Sequence, residues 1–94
     1  MPHHVLERIQ RLISNGHYEV TDHAYEEMAD DDLLLVDVET AILTGSIVRE
    51  YKGDPRGTVY AVEGTGSDRQ LFVGVAIRLN ERGNALIITA YKIR

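Results

Sequence analysis

Cysteine is absent from the 94 residues, which excludes disulfides, thiolate catalysis and every cysteine-based zinc motif in one step. Proline is scarce, with 2 residues, and no repeat, linker or low-complexity tract interrupts the chain. With 44% hydrophobic and 27% charged residues, the composition is that of an ordinary folded domain rather than a disordered segment. Long apolar runs are missing too. Met1-Pro2-His3-His4 leads directly into a charged amphipathic segment, with nothing resembling a signal peptide or a membrane span. The expectation is a single domain over 1–94 in the cytoplasm, with no membrane partner and one core that buries about two-thirds of the unfolded surface.

Metal and nucleotide motifs are lacking as well. His3 stands where an amino-terminal copper site needs it, but Pro2 has no backbone N–H for such a site to deprotonate. The four histidines show no zinc spacing, and Asp30-Asp31-Asp32 lacks the glycine and terminal glutamate of a calcium loop. Gly64-Thr65-Gly66 falls between strands, with no lysine and no following helix, so it cannot cradle a nucleotide phosphate. No metal and no cofactor are expected.

Charge is unevenly placed. Residues 1–47 hold ten acidic and two basic side chains, whereas 48–94 hold five acidic and eight basic. Such polarity fits a solvated acidic face in the first half, or a basic half that meets an anion such as RNA while the acidic half repels it or docks a basic partner. The net charge of −5 disfavours a strong general RNA binder.

The apolar period changes once along the chain. Val5, Leu6, Ile9, Leu12 and Ile13 fall at helical spacing, and Asn15-Gly16 supplies a left-handed stop. After an extended piece at Tyr18-Glu19-Val20, Thr21 can cap a short acidic helix with Ala24 and Met28 on one face. Leu35, Val38, Ala41 and Ile42 form a third helical stripe that Gly45 closes. Strands are then expected over 47–51, 58–63, 71–77 and 86–91, joined by Asp54-Pro55-Arg56-Gly57 and two further turns. This predicts an α+β domain, with N-terminal helices packed on a four-stranded antiparallel β-sheet.

The candidate chemistry gathers on a few side chains. His23 falls in the first turn behind Thr21, where it serves as general acid or base, or else caps and packs beneath the sheet. Arg69 opens a strand, and Thr89 and Tyr91 share one strand face. A guanidinium fork with two hydroxyls suits phosphate recognition; the plainer readings are a hairpin-edge charge, β-propensity and aromatic packing on the helices. Tyr51, Arg56 and Tyr60 are candidates for stacking on or binding an RNA backbone, although tyrosines in sheets are usually core.

The run Thr21-Asp22-His23-Ala24, then Met28, Asp37-Val38-Glu39, Ala41-Ile42, Gly45, Ile47, Glu50-Tyr51, Arg69, Leu71, Val73 and Ile88-Thr89-Ala90-Tyr91, resembles the family called domain of unknown function 4258. The likeness runs over 21–91. It implies a fold similar to the RelE and barnase-like ribonucleases and a role as toxin in a toxin–antitoxin pair, with RNA and a cognate antitoxin protein as partners. The reaction it implies is metal-independent endoribonuclease cleavage. His23 would move the proton, Arg69 would stabilise the phosphorane, and Thr89 or Tyr91 would orient the phosphate. Two departures stand out: where the family pattern carries arginines around its methionine, this chain has Glu27 and Asp31, and Leu34 replaces the serine that usually caps the next helix. The competing expectation is a non-catalytic protein-interaction module that uses the acidic helix surface.

Overall fold

The computed structural model describes residues 4–94; the amino-terminal His3 considered as a copper ligand lies outside them. Helix α1 (His4–Ser14) buries Ile9 and Ile13 and ends as its sequence predicts, with Gly16 in the left-handed region at φ 74°. Strand β1 (Tyr18–Val20) leads into α2 (Asp22–Asp30) and α3 (Leu35–Thr44). Four strands follow: β2 (Ser46–Tyr51), β3 (Val59–Thr65), β4 (Phe72–Leu79) and β5 (Ala85–Lys92).

The expected four-stranded antiparallel sheet is instead five-stranded and mixed, in the order β1-β5-β4-β3-β2. The meander from β2 to β5 is antiparallel, and the extended piece at Tyr18–Val20 adds to its edge by pairing parallel with Ala85–Ile87. Three residues are too few to display an alternating pattern, and their partner strand lies at the other end of the chain. Arg69 does not open a strand: β4 begins at Phe72, and Arg69 sits in the loop before it.

All three helices cover one face of the sheet. Ala24 and Met28 of α2, Val38, Ala41 and Ile42 of α3, and Ile9 and Ile13 of α1 meet Val62, Val73, Val75, Ile77, Ala85, Ile87 and Ala90 in one core. Helix α3 approaches β3 backbone to backbone. A Cβ on Gly45 or Gly64 would overlap the carbonyl oxygens of Glu63 or Ala41, so glycine at both positions sets the depth at which the helix seats.

Two bulges decide which residues face away from the helices. Ile47 pairs with Val62 and Arg49 with Ala61, which leaves Val48 extra in β2; Ile87 pairs with Ile77 and Thr89 with Ala76, which leaves Ile88 extra in β5. Each extra residue reverses the alternation beyond it. Ile87 therefore points into the core but so does Ala90, and Thr89 and Tyr91 face the bare side of the sheet.

Leu34 stands at the N-cap of α3 without any side-chain cap, and Asp37 carries that end of the helix. Its Oδ2 accepts from the Leu34 N–H (3.0 Å), while Oδ1 accepts from the Ser67 N–H (3.0 Å) and the Ser67 hydroxyl. Burial alone pushes this carboxyl up, yet the bonds from Ser67 and from the Leu34 and Ser67 backbone outweigh it and hold it below its ordinary value. Asp37 thus ties the helix start to the β3–β4 loop. Asp37→Ala is expected to cost about 2–3 kcal/mol at pH 7, since it orphans three donors. The ionic share of that stability is complete above the unfolded carboxyl value near 3.9 and disappears as pH falls through the lower folded value. Urea unfolding of wild type and Asp37→Asn at pH 7 and pH 3 should therefore show a gap that narrows in acid; a gap of constant size would refute the ionic role.

Candidate functional site

Strand β1 stops opposite Ile87, so among the described residues no strand lies beside the outer edge of β5 beyond the Ile88 bulge. Helix α2 fills that role with side chains. The Thr21 hydroxyl accepts from the Ala24 N–H (3.1 Å) as the helix N-cap and donates to the Ile88 carbonyl (2.9 Å), fastening the start of α2 to β5. Further along, the Glu27 carboxylate accepts from the Ala90 N–H (3.2 Å), and the Asp31 carboxylate accepts from the Lys92 N–H (2.9 Å).

His23, Glu27 and Asp31 form one row at four-residue spacing, next to the buried row of Ala24 and Met28. Glu27 Oε1 accepts not only from Ala90 but also from the Thr89 hydroxyl, and His23 Nε2 lies 3.4 Å from the same oxygen. An imidazole, a carboxylate and a hydroxyl thus meet at one edge of the bare face. Glu27 is 28% exposed and His23 is 68% exposed, so the carboxylate is held in place while the ring remains open to a ligand. With Nε2 turned to Glu27, Nδ1 is the nitrogen left for other chemistry.

The remaining sequence candidates separate by face. Tyr91 does not pack on the helices: its ring covers Gly74 on the bare side, where any Cβ would collide with it. Tyr51 is on the same side, opposite Val59, with the Arg49 guanidinium 5.9 Å from its ring centre. Arg56 lies in the Asp54–Gly57 turn, paired with Asp54 at 3.2 Å, and that turn leans over Arg78. The pair lowers the Asp54 carboxyl and raises Arg56 through their hydrogen bonds. Tyr60 faces the opposite way, against the core, so it cannot share a surface with Tyr51.

Arg69 is not brought to His23. Its loop is held to α3 by Ser67 and Asp37, beyond the register at which Phe72 meets Arg94. From Thr89 to Arg94 alone is on the order of 15 Å along the strand. Glu27 and Asp31, read from sequence as solvated acids, are the residues that bind the sheet edge. The signal that marks them is their four-residue spacing from His23 beside an apolar row.

Among the described residues no three His, Asp or Glu side chains converge to hold a metal ion, and no helix is long and apolar enough to cross a membrane. A shallow groove lined by Ser46, Val48, Glu63, Phe72 and Ile93 lies at the end of the bare face beyond Tyr91.

Glu27→Ala should destabilise the fold by about 2–3 kcal/mol, because the buried Ala90 N–H loses its acceptor. Glu27→Gln keeps an amide oxygen there and should retain most of that stability. Denaturant midpoints that fall equally for both variants would show that the edge bond is not what the carboxylate supplies.

No curated protein and no solved structure matches the chain. A family model does match, over residues 20–92, which take in β1 from its last residue, α2, α3 and the whole meander, with every side chain of the His23–Glu27–Thr89 cluster. The chain therefore belongs to the family described as domain of unknown function (DUF4258).

Proposed function

We propose that the protein is a metal-independent endoribonuclease, acting as the toxin-like component of a toxin–antitoxin pair in the cytoplasm, with a fold related to the RelE and barnase-like ribonucleases. One observation carries the reading: His23 and Thr89, far apart along the chain, both lie against a single carboxylate oxygen of Glu27 at the rim of a bare sheet face. Helices followed by an antiparallel meander with one face left free suit a long polymer substrate better than a small enclosed ligand.

The chemistry follows from the groups present. His23 Nε2 lies 3.4 Å from Glu27 Oε1, and Nδ1 is the nitrogen free to exchange a proton with a substrate. His23 removes the proton of a ribose 2′-OH, O2′ attacks the adjacent phosphorus, and the bond from phosphorus to O5′ breaks. The departing O5′ then takes the proton back from His23. The products are a 2′,3′-cyclic phosphate and a free 5′-hydroxyl, with no water and no metal consumed. The Tyr91 hydroxyl lies on the face where the phosphate would rest and can donate to its oxygens, while the Thr89 hydroxyl, whose proton goes to Glu27, holds that carboxylate beside His23.

The interaction-module reading draws on the same acidic helix. Glu27 and the C-cap Asp31 are engaged with β5, which leaves Asp22, Glu26 and Asp30 of α2 and Asp32 just beyond it as the exposed acids. That is a smaller surface than the sequence suggests for capture of a basic protein.

Purified protein in EDTA is expected to cut mixed RNA and leave 2′,3′-cyclic phosphate ends, with His23→Ala slower by about 10²–10⁴-fold. Equal cutting by both would remove His23 from the mechanism. No cutting by a folded wild type would overturn the ribonuclease reading and favour the module.

A further inference from the structure

The cross-strand register links the His23 edge to the opposite side of the sheet. Thr89 pairs with Ala76, Ala76 with Ala61, and Ala61 with Arg49, so one row crosses the bare face from β5 to β2. At about 4.8 Å between strands, the row spans roughly 14 Å. Both its ends owe their orientation to a bulge. Without Val48 and Ile88 as extra residues, Arg49 and Thr89 would turn toward the helix side. Bulges of this kind concentrate beside functional sites, where they re-aim a side chain.

The cations on this face are not equivalent. Arg78 and Arg56 are both held by Asp54, whereas among the described residues Arg49 has no carboxylate within 4.0 Å and has only the Tyr51 ring beside it. The row is bounded by the Tyr91 ring and the exposed Glu63 on one side and by Arg78 beneath the Asp54–Gly57 turn on the other. Its two middle positions carry only methyl groups, so a ligand can reach the strands themselves. The surroundings supply what a single-stranded polyanion requires: a free guanidinium, two exposed tyrosine rings, and a path continuous with the His23–Glu27–Thr89 cluster.

We infer that a single-stranded RNA segment crosses the sheet along Thr89, Ala76, Ala61 and Arg49, with Arg49 holding a phosphate distal to the cleavage point and Tyr51 stacking a base. The choice of RNA as ligand rests on the ribonuclease reading; the path rests on the register, the bulges and the unpaired guanidinium. Gly74 under Tyr91 and Arg78 under the Asp54–Gly57 turn are four residues apart on β4, roughly 13 Å, a width that suits one strand, so the substrate is single-stranded. Arg49 is a binding residue that acts away from the reacting atoms.

The test uses a fluorescent, 2′-O-methyl, mixed-sequence single-stranded oligonucleotide, which cannot undergo attack by its own 2′-oxygen. Arg49→Ala should weaken its binding about tenfold and lower the slope of log affinity against log salt by about 0.7, the share of one phosphate contact on a single strand. Arg49→Lys should recover part of the salt slope, and Ala76→Leu should weaken binding by filling the path. Arg82→Ala, a charge change in the exposed β4–β5 turn, serves as the control and should leave affinity unaltered. Unchanged affinity in both Arg49→Ala and Ala76→Leu, or no binding by wild type, overturns the path. Cleavage assays separate this from the ribonuclease reading. RNA cut by wild type with the same KM in Arg49→Ala sinks the path alone, while Arg49-dependent binding without cleavage sinks the ribonuclease reading alone.

Discussion

The unpaired edge of β5 is the constraint on which the candidate site depends. Strand β1 covers that edge only as far as Ile87, and beyond the bulge the N–H groups of Ala90 and Lys92 point outward with no strand to receive them. Each such group, if left without a partner, costs about 1–3 kcal/mol, a large fraction of the stability of a small domain. Helix α2 answers with Glu27 and Asp31, and Thr21 answers for the Ile88 carbonyl. Once those three residues are committed, the rotation of α2 is fixed. His23, one turn before Glu27, is then carried to the same edge.

A second constraint acts within the sheet. Strict alternation along β5 from the buried Ala85 and Ile87 would send Thr89 into the core, where a hydroxyl would need its own partner. The bulge at Ile88 places Ala90 there instead, and a small residue is what the packing of α2 admits. The same exchange occurs at Val48, where Ile47 remains against Val62 and Arg49 is turned outward. These two irregularities separate a sheet face that serves packing from one that carries guanidinium, phenol and hydroxyl groups.

Much of this architecture is legible along the chain, for local reasons. The stripe from Val5 to Ile13 and the Asn15-Gly16 stop define α1, Thr21 announces α2 through its cap, and the turns between 54–57 and 80–84 define the meander. What escapes a linear reading is long-range. The pairing of Tyr18–Val20 with Ala85–Ile87 joins the two ends of the chain, and neither bulge has a glycine or proline to mark it. Residue type alone marks Arg69 and Tyr60, and only the register shows that one falls in a loop away from His23 and the other beneath the helices. Glu27 and Asp31 look from sequence like surplus surface charge, because their partners are backbone amides that no pattern can display.

That distinction bears on the electrostatics of the bare face. An acidic helix beside a path for a polyanion looks self-defeating, yet its carboxylates are not equivalent. Glu27 receives hydrogen bonds from Thr89 and Ala90 with His23 alongside, and Asp31 receives one from Lys92, so the two acids nearest the sheet have donors directed at them. Asp22, Glu26 and Asp30 are exposed on α2 outside that row, and beyond a Debye length of about 10 Å at 0.1 M salt their field fades. Arg49 is turned to the other side of the sheet, within the half of the chain where basic residues outnumber acidic ones. On the proposed path, a chain carrying negative charge would be discouraged from the helix side and admitted across the strands, and the overall negative charge of the protein would orient the RNA rather than exclude it.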